Sequence, residues 1–138
     1  MAPNSNSKVV LVVDDEIFAR LFAVQIFLDQ GYTVLEAGCA EQGLEVLDRN
    51  DDVDVLFTDI SMPGEMDGLE LVRQVQAEHP NIAFLVTSGQ AEPSEHRLPG
   101  SSRFLAKPYT AHGLMTAIAE ATAVLPPRIV DCCWPDRL

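Results

Sequence analysis

Short unbroken apolar runs alternate along this chain with longer stretches in which apolar residues recur at helical spacing. Val9–Val13 is such a run, rich in β-branched residues and too short for a stable helix, which predicts a strand buried on both faces. Ile17, Leu21, Val24 and Leu28 then recur at helical intervals, Phe18, Phe22 and Ile26 widen the stripe, and Gly31 stops the helix. Thr33–Ala37 is a second, more polar strand, and Glu41–Arg49 a weaker helix with Leu44 and Leu47 inward. Val53–Thr58 predicts a third strand that ends in Asp59. Asp67 stands where an N-cap belongs, before a helix through Leu71, Val72 and Val75 towards His79, and Pro80 ends it. Ile82–Val86 and Arg103–Ala106 supply the fourth and fifth strands. Thr110 caps a last helix carrying Leu114, Ile118, Ala121 and Leu125. Between Thr87 and Arg103, Gly89, Pro93, Pro99 and Gly100 leave room only for a short helix, Pro93–Leu98, with Pro93 in its first turn.

Strands alternating with helices predict an α/β fold with a five-stranded parallel sheet, and right-handed crossovers place helices on both of its faces. The first, third and fourth strands are the most apolar and belong in the middle. The second and fifth suit the edges. That is the doubly wound order 2-1-3-4-5. One domain is expected over residues 8–125, with short tails at 1–7 and 126–138. The purpose of Cys132, Cys133 and Trp134 in the second tail is not legible.

Parallel strands bring all their carboxyl ends to one edge, where open α/β sheets place their sites. Here the first strand runs into Asp14, Asp15 and Glu16, and the third into Thr58 and Asp59. The fourth runs into Thr87 and Ser88, and the fifth into Lys107 and Pro108. Alone, the acids could be helix caps, Asp59 a turn residue, and Lys107-Pro108 a turn. Together they form a set. Crowded carboxylates call for a compensating cation, and a hard oxygen-binding ion such as Mg²⁺ meets that need. With Lys107 as a second positive charge, the set suits phosphoryl transfer to a carboxylate: Asp59 attacks phosphorus and Thr87 donates a hydrogen bond.

Composition narrows the partners. A net charge of -12 excludes the basic surface that nucleic acid requires. With 47% hydrophobic and 22% charged residues the chain is globular. No apolar run approaches the roughly 20 residues that cross a bilayer, so no membrane contact is expected. Three cysteines without zinc spacing predict a reduced, cytoplasmic protein. Residues 1–7 lack the order of a signal peptide. His79, His96 and His112 show no ligand spacing, and no glycine-rich loop follows the first strand, which disfavours nucleotide binding.

The strings VLVVDDE, VLFTDISMPG, MDGLEL, LVTSG and FLAKPY resemble, in order and spacing, the signature blocks of response-regulator receiver domains. The likeness runs from about Lys8 to Leu125. It implies the flavodoxin-like order 2-1-3-4-5, with Asp59 as phosphoacceptor and Asp14 and Asp15 as the acidic pair for Mg²⁺. It implies that the Ser61 backbone carbonyl completes the metal site. Thr87 matches the hydroxyl that follows the phosphoryl group, Lys107 the conjugate lysine, and Phe104 the bulky switch residue. The implied partners are a histidine kinase or histidine phosphotransfer protein and a downstream protein target, for a monomer or weak homodimer. The phosphoryl group then switches a protein contact, is relayed onward, or is drained.

Two departures stand out. Met62, Pro63, Gly64, Glu65, Met66, Asp67, Gly68 holds one residue more than the usual Met-Pro-Gly-Met-Asp-Gly. The stretch from Thr87 to Lys107 is short and proline-rich, and it bears on the family's output face, made by its fourth helix, fifth strand and fifth helix. Two other classes compete with a receiver: a phosphatase with an aspartyl-phosphate intermediate, and a binding module that no longer takes phosphate. The phosphatase needs an acid-base Asp two residues after the nucleophile, where this chain has Ser61, so a non-enzyme is expected. The intact set Asp14, Asp15, Asp59, Thr87 and Lys107 counts against the binding module.

Overall fold

A computed structural model describes residues 8–89 and 98–123. The elements are β1 (Val9–Val13), α1 (Ile17–Asp29), β2 (Thr33–Ala37), α2 (Ala40–Arg49) and β3 (Val55–Asp59). They continue with α3 (Gly68–Glu78), β4 (Ala83–Ser88), β5 (Arg103–Ala106) and α4 (Ala111–Ala123). The helix expected over Pro93–Leu98 lies, except for Leu98, outside the described residues, as do Leu125 and both tails.

All five strands pair in parallel in the order β2-β1-β3-β4-β5. The expected arrangement is the observed one. β3 and β4 are buried at every position, whereas β2 and β5 are exposed at several, as their composition requires of edges. Because strand side chains alternate, each central strand feeds two cores. Leu11, Val13, Leu56, Phe84 and Val86 face Leu47 of α2 and Leu71, Val72 and Val75 of α3. Val10, Val12, Val55, Phe57 and Leu85 face α1 and α4, which contribute Phe27, Leu114 and Ile118 among others. The result is three layers with the sheet in the middle.

Local signals place the helix starts. Asp67 accepts the Glu70 N–H at 2.9 Å and begins α3. The Thr110 hydroxyl accepts the Gly113 N–H at 3.0 Å and begins α4. Gly31, at φ 89°, turns the chain after α1 in a conformation that side chains resist.

The inward face of α1 is a correction. Of the expected stripe, Val24 and Ile26 are buried, but Ile17, Leu21, Phe22 and Leu28 are about half exposed and Phe18 is 80% exposed. Ala23, Val24, Ile26 and Phe27 face the sheet instead. The Phe27 ring meets Phe57 of β3 at 5.9 Å and Tyr32 at 5.0 Å, both edge-on. A helix apolar on nearly every side offers several stripes, and the partner surface chooses among them.

Candidate functional site

Strand register brings the chemistry together. Val13 pairs with Thr58, Asp59 with Thr87, and Ser88 with Ala106, so Asp14, Asp59, Thr87 and Lys107 reach one level at the carboxyl edge. The loops above are tied to the sheet by backbone bonds: Asp14 N–H to Ala37 C=O, Ile60 N–H to Thr87 C=O, and Lys107 N–H to Ser88 C=O.

Asp14, Asp15 and Asp59 each offer a carboxylate oxygen within 4.8 Å of the others. Asp14 and Asp59 are buried and Asp15 is exposed. Lys107 Nζ sits between the two buried acids, 3.2 Å from Asp14 Oδ2 and 3.3 Å from Asp59 Oδ2. Asp59 Oδ1 accepts the Ser61 N–H at 3.3 Å. Glu16, the third acid of the sequence cluster, stays outside: it is exposed, and its N–H donates to Asp14 Oδ1.

Three carboxylates face one ammonium, and titration reflects the imbalance. Burial pushes the Asp59 carboxyl above the usual carboxylate range; Lys107 pulls it down and Asp14 pushes it further up. For Lys107, burial works against the ammonium, yet the charges of Asp59 and Asp14 outweigh it and hold the group charged to higher pH than usual. An all-oxygen donor set with excess negative charge fits a hard divalent cation.

Thr87 is buried, and its hydroxyl donates to the Leu105 backbone carbonyl at 2.6 Å. Phe104, one residue earlier on β5, is partly buried against the core on the α2–α3 side. The loop after β3 closes at Gly68, whose N–H donates to the Ile60 carbonyl at 2.9 Å.

Two residues at the site escaped the sequence reading. Arg20 of α1 donates from Nη1 to the Asp14 carbonyl at 2.7 Å. Its signal was a lone Arg inside an apolar helix. Tyr109 packs edge-on to Phe57 at 5.8 Å and tilted against Phe22 at 5.6 Å. Burial first, then the Asp14 and Asp59 charges, push its phenol well above the usual tyrosine range. Its place directly after Lys107-Pro108 was the only hint.

Fold and site together define a doubly wound α/β domain built around an acidic, lysine-bearing pocket at the carboxyl edge of its sheet. Comparison with known proteins gives that class its family. The response regulator receiver domain matches over residues 10–119, and the chain belongs to that family. It is 38% identical over 120 residues to the sensor kinase CckA of Brucella abortus, covering 84% of this chain but only 13% of that protein. It is 32% identical over 117 residues to the chemotaxis protein CheY of Listeria monocytogenes, covering 81% of this chain and 96% of that one. The crystal structure of a response regulator receiver protein from Sinorhizobium medicae superposes with a TM-score of 0.78 at 25% identity, covering 86% and 96% of the two chains. The chain is therefore a CheY-like phosphoacceptor of two-component signalling. Among the described residues, no helix is long and apolar enough to cross a membrane.

Proposed function

We propose that Asp59 is the phosphoacceptor and that it takes its phosphoryl group from a phosphohistidine on a histidine kinase or histidine phosphotransfer protein. The observation that carries this reading is Lys107 Nζ held between Asp14 and Asp59 beside a third carboxylate. Asp59 attacks phosphorus; the O–P bond forms as the N–P bond breaks, and the electron pair stays on the imidazole nitrogen. No base is needed, because the carboxylate is the nucleophile. Lys107 follows the charge that develops on the phosphoryl oxygens. Asp14, Asp15, Asp59 and the Ser61 carbonyl would hold Mg²⁺, which would supply further positive charge against those oxygens.

The output is a change of conformational equilibrium. The Thr87 hydroxyl has one proton, now given to the Leu105 carbonyl. A phosphoryl group on Asp59, its neighbour in register, competes for that proton and removes this side-chain tie to β5. Phe104 then moves relative to the α2–α3 core, and a downstream protein reads the difference.

Intact-mass analysis after exposure to a small acyl-phosphate donor tests the reading. One phosphoryl group per chain is expected with Mg²⁺ and almost none with a chelator. An unchanged mass in Mg²⁺ rules the proposal out, and steady release of phosphate over many turnovers would favour the phosphatase class.

The outward face of α1 supports a protein donor. Ile17, Phe18, Leu21 and Phe22 expose apolar surface on the helix that begins just past Asp15. Exposed apolar patches of this kind mark contact sites. Phe18→Ser is expected to leave labelling by the small donor unchanged while slowing transfer from a phosphorylated kinase roughly tenfold or more. That follows from losing about 1.5–3 kcal/mol of phenyl burial in the complex. Stopped-flow transfer assays beside small-donor labelling measure the split.

A further inference from the structure

We propose that Arg20 is a positioning residue for the acidic pair: it clamps the peptide joining Asp14 to Asp15 and thereby sets how tightly the pocket binds its divalent cation. This rests on the reading above, that Asp14 and Asp15 hold such a cation.

Arg20 is the one basic residue of α1, and it lies on a helix otherwise rich in apolar side chains. Its side chain is only 19% exposed. A guanidinium drawn in this far must be paired and hydrogen-bonded. Nε donates to Glu36 Oε1 on β2 at 3.1 Å, and Nη1 donates to the Asp14 backbone carbonyl at 2.7 Å. The guanidinium crosses close over Gly38, where an added Cβ would lie 3.3 Å from Nη1. One side chain thus ties α1 to the ends of β1 and β2.

The bond to Asp14 is the consequential one. A surface ion pair such as Arg20–Glu36 is worth little by itself, because water screens it. A charged donor on a backbone carbonyl at 2.7 Å is shorter and stronger than a neutral hydrogen bond. It also fixes an orientation. The Asp14 carbonyl belongs to the peptide plane that carries the Asp15 N–H, so holding it fixes the direction in which the exposed Asp15 side chain leaves the backbone. The rest of Asp14 is already engaged: its N–H by Ala37, Oδ1 by the Glu16 N–H and Oδ2 by Lys107. Arg20 supplies the remaining constraint. Without it that carbonyl loses its side-chain anchor, and Asp15 is less ordered before a cation binds.

Groups that orient metal ligands typically change metal affinity 10–100-fold when removed. Arg20→Gln is therefore expected to weaken Mg²⁺ binding about tenfold by isothermal titration calorimetry. Glu36→Gln removes the ion pair but leaves the Asp14 bond, and its Mg²⁺ affinity should equal that of the wild type. Arg20→Lys keeps a charged donor and should fall between. In each variant the labelling rate at saturating Mg²⁺ should return to near the wild-type value. A purely structural tie would lower Tm in both Arg20→Gln and Glu36→Gln without separating their Mg²⁺ affinities. Equal affinities in Arg20→Gln, Arg20→Lys and wild type overturn the proposal, as does an equal loss in Glu36→Gln. If Arg20→Gln does not fold, Arg20→Lys against Glu36→Gln decides the matter. Wild-type protein that binds no Mg²⁺ would instead overturn the cation reading itself, so the two failures are distinguishable.

Discussion

Asp59→Asn is expected to take up no phosphoryl group from any donor and, at neutral pH without Mg²⁺, to melt at a higher temperature than the wild type. The first result follows because a neutral amide has no carboxylate oxygen to form the bond. The second follows from the site's charge. Asn keeps the size of Asp, and its carbonyl oxygen can still accept the Ser61 N–H that now meets Asp59 Oδ1. What changes is one buried negative charge beside Asp14. Burial and Asp14 together push the Asp59 carboxyl above its ordinary range despite Lys107, so the folded state disfavours the ionised form more than the unfolded chain does. The wild type pays that cost in full above the raised folded pKa, in part between it and the unfolded pKa, and not below both. As pH falls through that interval, the folded protein binds the proton first and regains the stability that Asn already has. The gap in Tm between variant and wild type is thus widest at neutral pH and closes on acidification. Intact mass and thermal denaturation at neutral and acid pH read both effects. A variant that melts lower than wild type at neutral pH would mean that the Lys107–Asp59 ion pair outweighs burial.

Gly68→Ala is expected to destabilise the domain and to slow phosphorylation beyond what the unfolded fraction explains. In an open helix the same change would help, because Ala exceeds Gly by about 0.8–1.0 kcal/mol. Here Gly68 begins α3 with no room for a methyl group. An added Cβ would collide with the carbonyl carbon and oxygen of Asp59 itself and with the Cα of Ile60. These are backbone atoms and cannot swing aside. Either α3 moves outward, breaking the Gly68 N–H bond to Ile60, or the end of β3 shifts and carries the Asp59 carboxylate away from Lys107. Overpacking of this kind typically costs about 1–3 kcal/mol. For a domain of this size that is a Tm loss of roughly 4–12 °C. Thermal melts and small-donor labelling on the folded fraction check both parts. Stability and rate equal to wild type would show that the loop after β3 can yield.

Much of this was legible in the chain itself, for a physical reason. Strands buried on both faces must be apolar over most of their length, so Val9–Val13, Val53–Thr58 and Ile82–Val86 identified the centre of the sheet. In a parallel sheet, the residues after each strand share one edge. Asp14, Asp59, Thr87 and Lys107 were therefore neighbours on topology alone, before any distance was known. Caps are local chemistry too, and Asp67 and Thr110 cap where their side chains can reach the next turn.

What the tertiary structure alone decided depends on choosing among equals. α1 is apolar on nearly every side, so periodicity could not say that Phe27 and Ala23 turn inward while Phe18 and Leu21 stay in water. The surface of β1 and β3 made that choice, with Phe57 receiving Phe27. The same rotation aims Arg20 at the Asp14 carbonyl and sets Phe22 against Tyr109. Residues distant in sequence meet through packing, and packing is a property of surfaces that no single segment carries.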